Sequence, residues 1–246
     1  MRKQDKKKLS DSYGKVSERV TNADQHYDYL LSLVRENFGK GKRILDAGCG
    51  NGYLIKKVAK FCEEISIEPR IFAFDASRKM VDSITESYPN IQVNQEFLPE
   101  TSYDDCSFDI ILFSEVLEHL HAPRESLKEL FRISKPDGKL IISVPNGDRI
   151  WIQEVIGRKE RWQPADDVFY TYSELNMLLR EAGWRPIHVS SIGWLFPRMT
   201  GQSFLKRLSF RVAESVFSVI KVFGLRKKTM VMVATKDEYL FSGKMN

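Results

Sequence analysis

Nine consecutive residues constrain this chain more than any others: Ile44-Leu45-Asp46-Ala47-Gly48-Cys49-Gly50-Asn51-Gly52. A short apolar run ends in an aspartate, then passes three alternating glycines before YLIKKVAKFC at 53–62 starts a helical pattern. Such glycines let the backbone turn tightly and bring main-chain N–H groups close to a ligand. In a nucleotide-diphosphate site the helix terminus behind them would favour an anion. Two features argue against a pyrophosphate here. The order is G-x-G-x-G, with Tyr53 where the dinucleotide pattern requires its third glycine. Asp46, at the loop entrance, repels phosphate and attracts a cationic or hydrogen-bond-donating group.

A sulfonium cofactor that carries an amino-acid ammonium fits both conditions. Asp75 closes the next apolar run, Arg70-Ile71-Phe72-Ala73-Phe74, 23 residues after Gly52. A short, rigid carboxylate at that point can accept hydrogen bonds from both hydroxyls of a ribose.

The rest of the chain supplies a sheet for these two strand ends. Apolar residues at helical spacing run from Asp24 to Phe38, and Gly39 and Gly41 should stop that helix. Ser77 is a candidate cap for a helix reaching about Tyr88. Ile91–Val93 is a weak strand and Phe108–Phe113 a stronger one. An amphipathic helix follows over 124–134, and Pro136-Asp137-Gly138 should turn the chain into a strand from Lys139 to Val144. Strands that alternate with helices over about 100 residues predict a parallel α/β sheet covered on both faces, with its ligand site along the strand carboxyl ends. Beyond it, Tyr172–Ala182 is predicted as a helix capped by Thr171 or Ser173, and Trp184–Ile192 and Met230–Ala234 as strands.

Composition bounds partners and setting. The net charge of +5 hides an asymmetry: residues 1–20 carry seven basic and three acidic side chains, and residues 203–228 seven and one. The remainder sums to −5 (24 basic, 29 acidic), so no nucleic-acid-binding surface is expected. Residues 1–20 are read as a basic flexible leader and 21–246 as a single domain. That domain is expected to carry a lid-like insertion at about 146–170 and an amphipathic helical embellishment at about 200–226. The basic, apolar-striped segment 203–228 is a candidate for peripheral membrane contact or for packing on the sheet or a second subunit, in a monomer or homodimer. Three cysteines without ligand spacing, Cys49, Cys62 and Cys106, predict neither a disulfide framework nor a structural zinc site. A cytoplasmic, at most membrane-peripheral, location is the expectation, with no secretory leader or spanning segment.

Four segments together, ILDAGCGNGYL (44–54), FAFDAS (72–77), SFDIILFSEVLEHLHAP (107–123) and LKELFRISKPDGKLIISVPN (127–146), resemble the class I S-adenosylmethionine-dependent methyltransferases. The resemblance covers roughly 24–192 and is nearest the ubiquinone-type O-methyltransferase and small-molecule branch. It implies a Rossmann-like sheet of seven strands, mostly parallel, whose last strand inserts antiparallel. It implies S-adenosylmethionine as cofactor, with Gly48, Cys49, Gly50 and Gly52 lining its methionine side and Asp46 near its amino group. Asp75 would hold the ribose, Ala76 and Met80 would pack near the adenine, and Ser114 would lie near the sulfonium. Relatives place an acidic residue about position 97 at the adenine amine; here Glu96 or Phe97 takes that place. His26 falls where some relatives have an arginine that touches the cofactor carboxylate.

The chemical groups follow the fourth strand. If a helix starts at Ser114, then Glu115, Glu118 and His119 stand at i, i+3 and i+4 on one face. Three readings stay open: His119 as general base oriented by a carboxylate, with Glu118 beside it; the trio on a divalent cation, as the resemblance suggests; or a locally bonded histidine with no chemical role. Asp166, Asp167, Trp162 and Tyr170 are candidates to shape an acceptor pocket. The expected function is methyl transfer to a small molecule, at oxygen, the acceptor being quinone-, lipid- or glycan-related. The alternatives are a protein or RNA methyltransferase and a non-catalytic binding subunit.

Overall fold

The computed structural model describes residues 24–39, 41–66, 70–149, 167–192 and 229–237. The expected leader, most of the lid-like insertion with Trp162 and Asp166, and the segment 200–226 lie outside the described residues. The elements in chain order are α1 (Asp24–Asn37), β1 (Arg43–Ala47), α2 (Tyr53–Glu64), β2 (Arg70–Asp75), α3 (Arg78–Ser87), β3 (Gln92–Gln95) and β4 (Phe108–Ser114). After them come α4 (Pro123–Ile133), β5 (Ser134–Pro145), α5 (Tyr172–Glu181), β6 (Trp184–Ile192) and β7 (Thr229–Lys236).

The sheet has seven strands in the order β3-β2-β1-β4-β5-β7-β6. β7 runs antiparallel to both of its neighbours, β5 and β6. The other pairs are parallel, and the order reverses between β1 and β4, which brings the ends of both strands to one crevice.

Side chains alternate across this sheet, as the pleat requires. Leu45, Ile111 and Phe113 face one core with Leu127 and Leu130 of α4 and Leu175 and Leu179 of α5. Ile44, Ile110 and Leu112 face the other, with Leu30 and Val34 of α1, Ile55 and Val58 of α2 and Ile84 of α3. Both faces are therefore buried, and β1 and β4 can be apolar almost throughout. Trp184 is fully buried and donates its indole N–H to the Leu127 carbonyl at 3.0 Å, which fastens β6 to α4.

Two local expectations change and one holds. Pro136-Asp137-Gly138 does not precede a strand; it lies inside β5. Between Phe108↔Ser134 and Ile110↔Lys139 the ladder shifts, so these residues form an irregularity within the strand. Ser77 occupies the N-cap of α3 but makes no side-chain cap; its backbone N–H instead donates to Asp75 Oδ1 at 2.8 Å. Thr171 does cap α5 through a reciprocal box with Glu174.

Two short stretches on either side of 150–166 meet each other. Asn146 pairs with Tyr170, the Gly147 N–H donates to the Tyr170 carbonyl at 2.9 Å, and the Tyr172 N–H donates to Asp148 Oδ2 at 3.0 Å.

Candidate functional site

The glycine loop is pinned to the end of β2. The N–H groups of Gly48 and Cys49 both donate to the Phe74 carbonyl at 2.9 Å, and that of Gly50 donates to Asp75 Oδ2 at 2.8 Å. Gly48 and Gly52 have φ of 76° and 74°, in the left-handed region that disfavours side chains. A Cβ on Gly48 would come within 2.7 Å of Val116 Cγ2, and one on Gly52 within 2.8 Å of Ile84 Cδ1. Glycine is thus required twice over at both positions.

Asp46 ends up 3% exposed at this loop. Its Oδ2 has no hydrogen-bond partner among the described residues. Burial, with the nearby charge of Asp75 adding to it, pushes the carboxyl up to about 7, although a hydrogen bond from the Ile55 backbone opposes the rise. A buried acceptor left unsatisfied is costly, and a cationic donor at this point would remove the cost. Asp75 is also raised, chiefly by burial, and the N–H groups of Ser77 and Gly50 oppose the shift. Each of its oxygens accepts one of these N–H groups, which leaves further lone pairs for a diol.

The neighbouring candidates fall along the same edge. Gln95, at the end of β3, donates through Nε2 to the Ala76 carbonyl at 2.9 Å, which joins the ends of β2 and β3. Met80 is buried on α3. Glu96 is turned towards Ser102, whose N–H and hydroxyl both donate to it, and Phe97 pairs with Glu100. On the other side α1 crosses the ends of β4 and β5. His26 Nε2 lies 3.0 Å from Ser114 Oγ and 3.4 Å from Ser143 Oγ, and the two hydroxyls are 2.9 Å apart. Beside it the Tyr27 ring packs on Tyr53 at 4.9 Å between centroids. Burial first, then the charges of Asp46 and Glu115, raise the Tyr27 phenol well above its ordinary value.

Ser143 and Tyr27 were not singled out from sequence, and Tyr53 only as the residue in place of a third glycine. Ser143 had a usable signal, because in-register alignment of the β4 and β5 carboxyl ends sets it opposite Ser114.

The segment after β4 departs from expectation. Ser114 is the last residue of the strand, Glu115 has φ of 54°, and only Leu117–His119 form a single 3₁₀ turn. The trio therefore does not share a helical face. Among the described residues no group of three or more His, Cys, Asp or Glu side chains is arranged to hold a metal ion. Glu118 is not the close carboxylate partner of His119 either: its Oε1 is 3.9 Å from Nε2, whereas Asp167 Oδ1 is 2.7 Å from Nδ1. Glu118 is buried, and burial, then Glu115, then Asp167 push its carboxyl well above the usual range.

Residues 21–189 match a family model described as a methyltransferase domain. The chain belongs to the class I S-adenosylmethionine-dependent methyltransferases. Among members of this methyltransferase family, a probable S-adenosylmethionine-dependent methyltransferase of Mycolicibacterium smegmatis is 31% identical over 147 residues, 58% of this chain and 52% of its own. A ubiquinone biosynthesis O-methyltransferase of Roseobacter denitrificans is 28% identical over 180 residues, 65% of this chain and 70% of its own. The chain spans about half the length of the first curated methyltransferases it matches. A crystal structure of a S-adenosylmethionine-dependent methyltransferase from Aquifex aeolicus has the same fold, with a TM-score of 0.63, 17% identity and 92% and 98% of the two chains covered. Among the described residues no helix is long and apolar enough to cross a membrane.

Proposed function

We propose that this protein transfers a methyl group from S-adenosylmethionine to a small molecule, at oxygen. One observation carries the cofactor half of this reading: a buried aspartate oxygen with no partner among the described residues, beside a loop with no room for a Cβ at Gly48 or Gly52. When bound, S-adenosylmethionine supplies an activated methyl on a sulfonium; the protein's part is alignment.

Asp46 meets the ammonium group, and the backbone of Gly48, Cys49, Gly50 and Gly52 lets the methionine portion lie close. Asp75 accepts from the ribose hydroxyls with its remaining lone pairs. Ala76 and Met80 pack near the adenine, with Glu96 and Phe97 at its edge. His26 and Ser114 stand near the carboxylate and the sulfonium. Holding nucleophile and methyl in line contributes several kcal/mol, on the order of 7–11 in well-oriented reactions.

His119 takes the acceptor's proton, in a buried turn that follows β4 and whose preceding residue Val116 abuts Gly48. The choice of oxygen and of a quinone-related acceptor is supported by the likeness to the R. denitrificans ubiquinone biosynthesis O-methyltransferase; lipid- and glycan-related acceptors are the other classes to be tested.

Calorimetry with S-adenosylmethionine tests the first half; absence of binding overturns it. Transfer of labelled methyl from the cofactor into fractionated small-molecule and lipid extracts tests the second. Label found mainly in RNA or protein would overturn the small-molecule reading.

A further inference from the structure

Asp167 lies 48 residues beyond His119 in sequence, at the far end of the connection that leaves β5. Its carboxylate nevertheless meets the ring, Oδ1 to Nδ1, at 2.7 Å, and the two side chains are only 4% and 15% exposed. The contact has backbone support. The next residue, Val168, donates its N–H to the Glu118 carbonyl at 3.0 Å, so one segment is fastened to the 3₁₀ turn by adjacent residues. Two residues further on, Tyr170 is tied to Asn146 and Gly147, which fixes the direction from which Asp167 arrives.

The arrangement is expensive for the fold alone. Asp167 sits near Glu118, itself buried, and its Oδ2 has no hydrogen-bond partner among the described residues. Burying a carboxylate next to another carboxyl group and leaving one oxygen unsatisfied costs stability. The imidazole N–H is what it gains. A carboxylate only accepts, so Nδ1 donates, and in the neutral ring the unprotonated nitrogen is then Nε2.

We propose that Asp167 is the positioning residue of the catalytic base: it accepts the Nδ1–H of His119, fixes its tautomer and ring orientation, and so presents Nε2 for the acceptor's proton. The inference rests on the reading of His119 as base. In the step it serves, the acceptor O–H proton passes to Nε2 as the acceptor oxygen bonds to the methyl carbon. The sulfur–methyl bond breaks with its electron pair left on sulfur, giving a neutral thioether. Asp167 stabilises the imidazolium so formed, which then yields its proton to water. Because Asp167 and Val168 hold on to the same turn, the base is complete only when two distant stretches of chain have met.

The test has two arms on the full chain. In the first, NMR of protein labelled with ¹⁵N-histidine reports the tautomer without any acceptor, the His119 signals being assigned by their loss in His119→Ala. We expect Nδ1 to be protonated in the wild type and the tautomer to redistribute in Asp167→Asn and Asp167→Ala. An Nε2-protonated wild type, or a tautomer unchanged in both variants, overturns the proposal. In the second arm, methyl-labelled S-adenosylmethionine and a small-molecule extract fraction that accepts label from the wild type give turnover. Asp167→Asn and Asp167→Ala should lose about 10-fold or more, with cofactor affinity by calorimetry unchanged and partial recovery in Asp167→Glu. Wild-type turnover in Asp167→Asn beside an inactive His119→Ala overturns the role of Asp167 and leaves the base reading standing. Wild-type turnover in His119→Ala overturns the base reading and this inference with it.

Discussion

The N–H of Gly50 donates to Asp75 Oδ2 at 2.8 Å, so the glycine loop and the end of the second strand are one unit and not two independent ligand contacts. A charge-assisted bond of this kind orders the loop before any ligand arrives. Asp75→Asn keeps the shape but leaves one oxygen, so one of the Gly50 and Ser77 N–H groups loses its acceptor and faces an NH2, and Asp75→Ala removes both acceptors. We expect Asp75→Ala to cost about 1–3 kcal/mol of stability and to abolish cofactor binding, with Asp75→Asn between it and the wild type. Denaturant melts and calorimetry on the three proteins check both effects; full affinity in Asp75→Ala would contradict the coupling.

Asp46 gives a pH dependence whose sign can be worked out. Folding raises its pKa from the ordinary carboxylate value to about 7, so between those limits the folded chain holds the proton more tightly than the unfolded chain. The contribution of Asp46 to stability is therefore most favourable at low pH and is lost as pH rises towards 7. A cationic ligand reverses the preference. Binding near pH 7 should release part of a proton, and affinity should fall as pH drops below that value. Calorimetry in buffers of different ionisation enthalpy measures the release. Asp46→Asn should abolish it, weaken cofactor binding by about 10-fold or more, and raise the melting temperature of the ligand-free protein above pH 7.

Gly48→Ala combines a left-handed backbone with a collision. The new methyl would lie 2.7 Å from Val116 Cγ2, at φ of 76°. We expect a loss of at least about 1 kcal/mol and loss of cofactor binding. Adding Val116→Ala should return part of the stability, because it removes the collision but not the strain. Melting curves of the single and double variants decide this; a double variant no more stable than Gly48→Ala would show that Val116 is not the obstacle.

Thr171→Ala removes a cap on α5 in which the Glu174 N–H donates to Thr171 Oγ1 at 3.3 Å and the Thr171 N–H donates to Glu174 Oε2 at 2.8 Å. The expected loss is about 1 kcal/mol, with turnover preserved. Bonds from the Thr171 backbone and hydroxyl hold the Glu174 carboxyl below its usual value, so the wild-type advantage should shrink as pH falls through the carboxylate range. Thermal melts at neutral and acid pH measure both.

What could be read from residues alone was whatever is encoded locally. The G-x-G-x-G order, the aspartates at two strand ends and the alternation of apolar runs all lie within short windows, and β1, β2 and β4 occur within a residue or so of expectation. The segment 114–119 did not yield in this way. Nothing in ordinary residue preferences announces that a glutamate will adopt a positive φ, yet Glu115 does, and that breaks the expected helix into a single 3₁₀ turn. The partner of His119 was hidden for another reason. Asp167 was visible only as a charged residue in an irregular stretch, and no periodicity relates positions 48 apart. Their contact exists because the 146–148 and 170–172 stretches meet, and that meeting is a property of the assembled sheet.

The strand order also sets a timetable. Among the described residues β6 is flanked in the sheet by β7 alone, and β7 is the last of the seven strands in chain order. On a ribosome, residues 184–192 therefore wait for this neighbour until residues 229–236 emerge to slot in beside β5. A nascent chain of this protein stays vulnerable to mispairing until synthesis has passed that strand.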